Sequence, residues 1–368
     1  MLDMNNLNAP AELAAFLLAE TESEQINLMN HLQDSYQIGL RYETESGYRY
    51  PPVEIAAYLG KCLHIKVLVQ HSRQCLNVSN PLLQAVRGNH LSVVQMLLTY
   101  EEVEKKVDAQ NNLALIWASH NGHLGIVKEL LTYDRVKEKI DANSNFALLQ
   151  AASEGHLNVV QELLAYDKVA REIDAQNNEV LILAASEGHL DVMRKLLTYQ
   201  CVEKNINAQK NKALIYAASA GHLEVVQELL KYSKVKENID AQDHGALRWA
   251  VRHGHKDVVF ALLSYPVVFS YADKNDKKYG DFIYLFIEAK LEDLRRRKRE
   301  FALQNFNNVF DVTEEEARLI CLIIKHVVYK NKARLLDRVN EMLAIPSVYL
   351  LFQEPQIRFR IADEKNFQ

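Results

Sequence analysis

Apolar and polar positions follow helical spacing within a block of 33 residues that recurs along the chain. The block at residues 145–177 predicts two helices, one over 147–153 and one over 157–165. The first has a face of alanines and the second a face of branched aliphatic residues. These faces consist of Ala147, Ala151 and Ala152, and of Val159, Val160, Leu163 and Leu164. Gly155 ends the first helix, because a left-handed residue is needed there.

The rest of the block predicts how one copy connects to the next. An extended stretch is expected at residues 173–175, and Asn177 and Asn178 are expected to turn the chain because asparagine tolerates positive φ. One pair of helices cannot bury its apolar face alone, whereas stacked copies can. The pattern therefore predicts an all-α solenoid.

A Gly-His pair marks the same place in successive blocks. The pairs begin at Gly122, Gly155, Gly188, Gly221 and Gly254, always 33 residues apart. His90 lies one period upstream, where Asn89 replaces the glycine. Six units therefore cover residues 80–275, and a fixed period of this length indicates a repeat array.

The motif at residues 151–164, Ala-Ala-x-x-Gly-His-Leu-x-Val-Val-x-x-Leu-Leu, resembles the ankyrin-repeat family. The resemblance implies an all-α ankyrin-repeat solenoid of helix-turn-helix repeats with short turns and with helical N- and C-terminal caps. The family's Thr-Pro-Leu-His opening is absent, so apolar packing must replace the hydrogen bonds of that motif. A recurring Tyr-x-x-Val after the second helix is similar to ankyrin arrays in effector proteins that intracellular bacteria secrete into their hosts.

The two ends of the chain depart from the repeat. Residues 1–50 are predicted to form a helical N-terminal cap, and residues 51–79 a partial leading repeat. Residues 276–352 lose the Gly-His pair and are predicted to be a helical extension or a degenerate capping repeat, beginning with a long helix over 281–306. Residues 353–368 are expected to be a polar tail.

Composition and charge narrow the classes of function. The 368 residues are 48% hydrophobic and 25% charged, which is typical of a soluble protein with a core. The net charge of −5 argues against a uniformly basic nucleic-acid binder. The four cysteines are widely spaced and lack a metal-binding pattern, which indicates a reducing compartment. No apolar run approaches the roughly 20 residues of a membrane span.

The N-terminus lacks the positive flank of a cleaved secretory signal. The chain is therefore expected to be soluble and, if exported, to use an uncleaved signal. Glu354, Asp363 and Glu364 in the tail fit the acidic C-terminal export signals that the resemblance implies. The expected location is the host cell cytosol after secretion by a bacterium, with the bacterial cytoplasm as the alternative.

Candidate chemical sites have simpler structural interpretations. The histidines of the Gly-His pairs cannot share a metal ion, because repeats stack about 10 Å apart and ligands lie about 2 Å from zinc. They are expected to hydrogen-bond between repeats. Cys321 and His326 could be a nucleophile and its base, but no acid partner is evident and core packing is favoured. Neither a metal nor a cofactor is predicted.

Residues 295–299, Arg-Arg-Arg-Lys-Arg, form one dense basic cluster. The cluster is interpreted either as a nuclear-import or anionic-surface patch or as a solvated helix whose charges pair with flanking acids. The second interpretation is favoured, because Glu292, Asp293 and Glu300 flank the cluster.

The resemblance implies that a partner binds at the concave edge and at the hairpin tips, where the otherwise uniform repeats vary. The predicted partner-binding residues are Arg87, Asn111, Asn112, Trp117, His120, Asn121, Asn145, Ser153, Glu154, Asn177, Asn178, Ser186, Glu187, Asn211, Tyr216, Ser219, His244, Trp249, Arg252 and His253. The aromatic residues at 117, 216 and 249 share one repeat position and are candidate anchors. Glu154 and Glu187 predict a basic region on the partner. Asn207 occupies the position at which, as the resemblance implies, a host enzyme can hydroxylate asparagine in ankyrin proteins; the favoured interpretation is a turn residue, where the other repeats have aspartate.

These patterns predict a non-enzymatic protein-interaction scaffold, a bacterial effector that binds a host protein as a monomer. The alternative is an enzyme with a catalytic C-terminal helical segment and the repeats as its substrate receptor. Packing of residues 276–368 as a continuation of the stack would favour the scaffold, and an enclosed polar pocket there would favour the enzyme. A bacterial scaffold that is never exported is a third interpretation.

Overall fold

The computed structural model describes residues 42–43, 49–71, 73, 75–78, 80–303, 319–320, 322–323 and 326–327. The chain divides into two compact units, residues 1–205 and 206–368. Helices dominate the described part of both units, which confirms the predicted fold class. The predicted tail at 353–368 and most of the predicted cap at 1–50 lie outside the described residues.

The described part of the first unit begins with a short antiparallel hairpin. Here β1 (Tyr42–Glu43) pairs with β2 (Arg49–Tyr50). The hairpin lies at the end of the interval that was predicted to be a helical cap. Tyr42 and Tyr50, which pair across the two strands, favour a strand there. The helices that follow are α1 (Pro52–Tyr58), α2 (Cys62–His71), α3 (Cys75–Val78), α4 (Pro81–Arg87), α5 (Leu91–Leu98), α6 (Glu101–Glu104), α7 (Ala109–His120), α8 (Leu124–Leu130), α9 (Asp134–Glu138), α10 (Ala142–Ser153), α11 (Leu157–Leu164), α12 (Asp167–Arg171), α13 (Ala175–Ser186), α14 (Leu190–Leu197) and α15 (Gln200–Lys204).

The second unit continues the same succession of long and short helices. They are α16 (Ala208–Ala220), α17 (Leu223–Leu229), α18 (Ser233–Glu237), α19 (Ala241–His253), α20 (Lys256–Leu263), α21 (Pro266–Lys274) and α22 (Asp276–Leu303). Helical residues are also described at 319–320, 322–323 and 326–327. The long helix predicted over 281–306 is thus present as α22 and begins earlier than expected.

Each repeat contains three helices rather than two. After the second helix α11, the chain forms a third helix, α12. Residues 173–175, which were predicted to be extended, lie instead in a turn and at the start of α13. Tyr166 precedes α12 with extended backbone, and Val169 is 1% exposed. The recurring Tyr-x-x-Val is therefore the start of a helix, because one helical turn after the tyrosine places the valine against the core.

Each first-helix segment in the regular repeats begins with left-handed backbone. In α10 the residues Asn143, Ser144 and Asn145 have φ of 54°, 58° and 63°. The Asn145 N–H closes this turn by donating to the Asp141 carbonyl at 3.0 Å. The asparagine turn predicted at 177–178 has the same backbone, which confirms it. Left-handed backbone costs about 1–2 kcal/mol per non-glycine residue, so successive residues of this kind need a compensating contact.

A buried asparagine at the end of the turn supplies that contact. The Asn145 amide donates to the carbonyls of Val169 and Glu172 at 3.1 Å each, and so ties the turn to α12. Asn112, Asn178 and Asn211 each make the equivalent two bonds at 2.7–2.9 Å. All four asparagines are 1–2% exposed. The prediction that they contact a partner is wrong, because a buried amide bound to backbone carbonyls cannot reach one.

Three histidines of the Gly-His pairs, His156, His189 and His255, donate to carbonyls of the preceding repeat, as predicted. His156 Nε2 donates to the His120 carbonyl at 2.9 Å, and His189 Nε2 donates to the Ser153 carbonyl at 2.8 Å. The His156 ring also lies against Gly122, where a Cβ would be 2.5 Å from Nδ1. Gly122 therefore provides both space and a φ of 72°. The described residues contain no group of His, Cys, Asp and Glu that could hold a metal ion.

Aromatic side chains pack α22 onto the last complete repeat of the second unit. The Phe286 ring centroid lies 5.8 Å from that of Phe260 in α20 and 6.1 Å from that of Phe269 in α21. Ile283 and Phe286 are 0% and 1% exposed. The described part of the C-terminal segment thus extends the helical packing of its unit, which is the arrangement expected of a capping extension.

Candidate partner-binding surface

The predicted partner-binding residues outside the core lie at the two ends of the first-helix segments. The exposed ones are Arg87, Asn111, Asn121, Glu154, Asn177, Glu187, Tyr216, Trp249, Arg252 and His253; the half-buried ones are Trp117, His120, Ser153, Ser186, Ser219 and His244. Most of them lie in the last turn of the segment or directly after it, before the glycine. We call these last turns the first-helix ends.

In the first unit, a cation covers the aromatic ring at the first-helix ends. The Arg87 guanidinium, at the end of α4, lies 5.0 Å from the ring centroid of Trp117 in α7. His120 contacts the same tryptophan edge to face, with 5.7 Å between centroids. Because Trp117 is half-buried between these neighbours, it offers a partner only part of its ring.

Two glutamates give the following first-helix ends of this unit a negative charge. Glu154 and Glu187 are exposed and follow α10 and α13 directly. His120 Nδ1 lies 3.6 Å from a Glu154 carboxylate oxygen, and this contact is an ion pair only when the histidine is protonated. The sequences of α7, α10 and α13 contain no lysine or arginine, so these carboxylates dominate the local charge.

In the second unit, the anchors are exposed and each is paired with a cation. Tyr216 in α16 and Trp249 in α19 are both 40% exposed. The Lys212 ammonium lies 5.3 Å from the Tyr216 ring centroid, and the Arg252 guanidinium lies 4.9 Å from that of Trp249. Such cation–π contacts contribute about 0.5–1 kcal/mol at exposed sites and hold the rings in place.

A serine and two histidines fix the same region of the second unit. The Ser219 carbonyl accepts from His253 Nδ1 at 2.8 Å and from His255 Nε2 at 3.0 Å. The His253 ring also stacks on Trp249, with 5.5 Å between centroids. Trp249 therefore has Arg252 and His253 as neighbours, and its orientation is set before any partner arrives.

Comparison with known sequences identifies the repeat. The family profile described as ankyrin repeats (3 copies) matches residues 53–144, 115–210 and 181–278. The chain belongs to the ankyrin repeat family. Ankyrin repeats are a protein–protein interaction module, and their fold is typically non-catalytic. The comparison with curated proteins found no match.

Solved structures also match this ankyrin fold. One is the X-ray structure of an ankyrin repeat family protein from Legionella pneumophila, with 23% sequence identity and a TM-score of 0.51. The match covers 70% of this chain and 87% of that chain. At this level of identity the likeness concerns the fold alone.

The last ankyrin repeat departs from the buried asparagine. His244 occupies the position of Asn112, Asn145, Asn178 and Asn211, and its ring stacks on Tyr271 with 3.9 Å between centroids. Burial lowers the pKa of His244, while Asp240 and Asp243 act in the opposite direction. His244 was predicted to bind a partner at a hairpin tip, and the structure instead places it half-buried against α21.

The candidate residues of the C-terminal segment, where the structure describes them, make contacts within their own unit. His326 is 3% exposed, and its Nδ1 lies 2.6 Å from an Asp273 carboxylate oxygen. This acid partner is distant in sequence and is not evident from it. The Cys321 side chain lies outside the described residues. In the basic cluster, Arg296 pairs with Asp293 at 2.8 Å, which agrees with the interpretation of a self-paired helix at that position.

The cation Lys212, in a first-helix segment of the second unit, was missed in the sequence. Lys212 pairs with Tyr216, and Lys210 is exposed in the same segment. The signal was present, because Lys212 precedes Tyr216 by one helical turn and residues four apart share a helix face.

Among the described helices, none has the length and apolar character that crossing a membrane would require.

Proposed function

We propose that the protein is a non-enzymatic scaffold that binds a partner protein through its first-helix ends. The observation that carries this proposal is the contrast within each repeat. The turns, glycines and buried asparagines keep the same geometry, whereas the first-helix ends change in charge and aromatic content. A rigid array of such ends holds many contacts in place before binding, which lowers the entropic cost of association.

The acidic first-helix ends of the first unit bind a basic region of the partner. Glu154 and Glu187 are exposed, occupy equivalent positions in successive repeats and have no lysine or arginine in the adjoining first-helix segments. Complementary charge raises the association rate and selects among partners more than it raises affinity. Binding should therefore weaken as the salt concentration rises.

The partner is a host protein, and the chain is a bacterial effector. The similarity of its repeat pattern to effector ankyrin arrays supports this. The packing of α22 through Phe260, Phe269 and Phe286 supports a capping role, rather than a catalytic one, for the start of the C-terminal segment.

A capture experiment with matched charge variants tests the surface. The full chain would be used to capture proteins from eukaryotic lysate alongside Glu154→Lys/Glu187→Lys. The control Asp167→Lys/Glu203→Lys makes the same charge change at exposed positions of α12 and α15. The proposal predicts a host protein that wild type and control retain and that the first variant loses. Equal capture by all three would contradict it.

A translocation assay tests the effector assignment. The chain would carry an enzyme reporter at its N-terminus that is active only in host cytosol, and a second fusion would lack residues 353–368. Reporter signal from the first fusion alone would support an uncleaved C-terminal signal. If neither fusion gives signal in infected cells, the bacterial scaffold interpretation replaces the effector.

Asn207 remains a proposed hydroxylation site. It is half-buried, and its carbonyl accepts from the Asn211 N–H at 3.0 Å at the start of the left-handed turn. Mass spectrometry of protein recovered from host cells should show the added mass of one oxygen at Asn207 and no such shift in Asn207→Asp. An unmodified Asn207 would remove this proposal and leave the scaffold function intact.

A further inference from the structure

We propose that the first-helix ends of the second unit bind an acidic peptide segment that also carries an apolar side chain. The surface consists of Tyr216, Trp249, Arg252 and His253 at the first-helix ends, together with Lys212 one helical turn before Tyr216, and we call it the aromatic–basic face. The inference rests on the proposed scaffold function and goes further, because it assigns a partner chemistry opposite to that of Glu154 and Glu187.

The charge of the aromatic–basic face is positive. The α16 segment contains Lys210 and Lys212 and no acidic residue. In α19, Asp243 pairs with Arg248 at 3.0 Å, which leaves the Arg252 charge without an acidic counterpart in that segment. Lys212 donates to the Gln209 side chain at 2.9 Å, a neutral group that does not cancel its charge.

This positive charge is not a general property of the repeat. The equivalent segments α7, α10 and α13 contain no lysine or arginine, and Glu154 and Glu187 follow two of them. The repeat geometry is the same in both units, so the fold does not require cations at these positions. The cations are therefore free to serve recognition.

The geometry suits a carboxylate beside an apolar side chain. Tyr216 and Trp249 lie at equivalent positions of adjacent repeats, each 40% exposed and each within 5.3 Å of a cation. An apolar side chain can pack on the exposed ring edges while neighbouring carboxylates pair with Lys212 and Arg252. A guanidinium accepts a carboxylate through two parallel hydrogen bonds, which adds geometric selectivity. Trp and Arg are also the residues most enriched in interface hot spots.

The same features argue against a nucleic acid. Proteins that bind single strands stack bases on open aromatic faces, but Lys212 and Arg252 lie over the faces of Tyr216 and Trp249. His253 takes up a further part of the tryptophan surface. Affinity for a phosphate backbone comes from many lysine and arginine contacts, and Asp240 and Asp243 lie in or beside the same segment.

The test is a selection from a phage-displayed random peptide library on the immobilised full chain. Parallel selections use Trp249→Ala/Arg252→Ala, Glu154→Lys/Glu187→Lys, and the control Val267→Ala/Lys256→Ala. The control removes an exposed apolar residue and a positive charge from other helices of the same unit. The affinity of the enriched peptides is then measured by fluorescence anisotropy at low and high salt.

The proposal predicts acid-rich peptides with an apolar residue that bind wild type, the control and the glutamate variant. Trp249→Ala/Arg252→Ala should bind them at least about tenfold more weakly, and added salt should weaken wild-type binding. Replacement of the peptide's acidic residues by their amides should abolish binding to the wild-type chain.

Six outcomes would overturn the proposal. Enriched peptides that are neutral or basic would do so, as would peptides retained by Trp249→Ala/Arg252→Ala or no enrichment at all. Displacement by single-stranded RNA in preference to peptide would assign the face to nucleic acid. Self-association of the chain that Trp249→Ala/Arg252→Ala abolishes would assign it to a second copy. Peptides lost only by Glu154→Lys/Glu187→Lys would reject this inference while supporting the proposed function of the first unit.

Discussion

Two first helices of the first unit, α10 and α13, are followed by Glu154 and Glu187, whereas the first helix α19 of the second unit ends with Trp249, Arg252 and His253. Behind these ends the two units are built alike, with a left-handed turn, a first helix, a glycine, a second helix and a short third helix. The difference separates two classes of position. Buried turn and helix residues determine the repeat, and under the proposed function the exposed first-helix ends determine what it binds.

A second difference lies inside the repeat. Asn112, Asn145 and Asn178 in the first unit tie the turn to the third helix, whereas the last repeat of the second unit has His244 stacked on Tyr271. The asparagine contact holds the turn to the short third helix of the same repeat. The stacked histidine holds the turn to the longer third helix α21, after which α22 begins.

The largest expected effect concerns the packing of Phe286 against Phe260 and Phe269 in the second unit. Phe286→Ala should lower the free energy of unfolding of this unit by about 3–5 kcal/mol, because it leaves a cavity between α20, α21 and α22. The control Leu285→Ala, at a position that is 41% exposed, should cost far less. Denaturant unfolding followed by circular dichroism measures both. Equal effects would mean that α22 does not pack as described.

The next effect tests the asparagine contact of the first unit. Asn145→Ala removes two hydrogen bonds of about 1 kcal/mol each and places a less tolerant residue in left-handed backbone, so we expect a loss of about 3 kcal/mol. Asn145→Gly loses the same bonds but relieves the backbone, and should cost about 1 kcal/mol less. Ser144→Ala, at the exposed neighbour, should change stability by less than about 0.5 kcal/mol. Unfolding measurements that rank Ser144→Ala with Asn145→Ala would contradict the account.

A smaller effect on stability is expected at Tyr216 and Trp249, which we propose serve binding rather than folding. Tyr216→Ala and Trp249→Ala should each lower the free energy of unfolding by about 1–2 kcal/mol, because both rings are 40% exposed and lose a cation–π contact together with the apolar packing of their buried part. Thermal and denaturant unfolding of the single variants measures this directly. A loss comparable to that of Asn145→Ala would show that these rings hold the repeat together and do not belong to a separate class of position.

The smallest effect concerns pH and His244. Burial lowers the pKa of His244 in the folded chain, so below the ordinary value of 6.5 the unfolded chain binds the proton more readily. Stability is therefore full above that value and falls as the pH drops from it towards the lowered folded pKa. His244→Asn should reduce this loss of stability at low pH. Part of the loss should remain, because burial also lowers the pKa of His123. Unfolding at about pH 5 and about pH 8 tests this; an unchanged difference between the two conditions would contradict it.

The fold could be predicted because its signals are local and repeated. The Gly-His pairs, the alanine face and the aliphatic face each report a short helix or its end, and each appears several times. The third helix was missed because Tyr-x-x-Val spans a single turn and shows no helical periodicity. The role of Asn145 was missed for a different reason. An asparagine at a turn is compatible with an exposed tip that a partner can contact. The burial of Asn145 depends on carbonyls at the third helix, α12, which local sequence does not show.

The candidate surface could be predicted only in part. Trp249 and Arg252 were found because they lie where the repeats differ, and the structure leaves both exposed. Their pairing depends on side-chain geometry, as does the contact of Lys212 with Tyr216. The Asp273 partner of His326 could not be found from spacing, because the two residues are 53 positions apart.

Hydrogen–deuterium exchange of the full chain, with and without the captured partner, tests the central claim most directly. The account predicts slower exchange on binding at the first-helix ends, which include residues 117–121 and 150–154 of the first unit and residues 216–220 and 249–253 of the second. The third helices α12, α15 and α18 should exchange at the same rate in both states. Protection confined to the third helices, with unchanged first-helix ends, would contradict the assignment of binding to these positions.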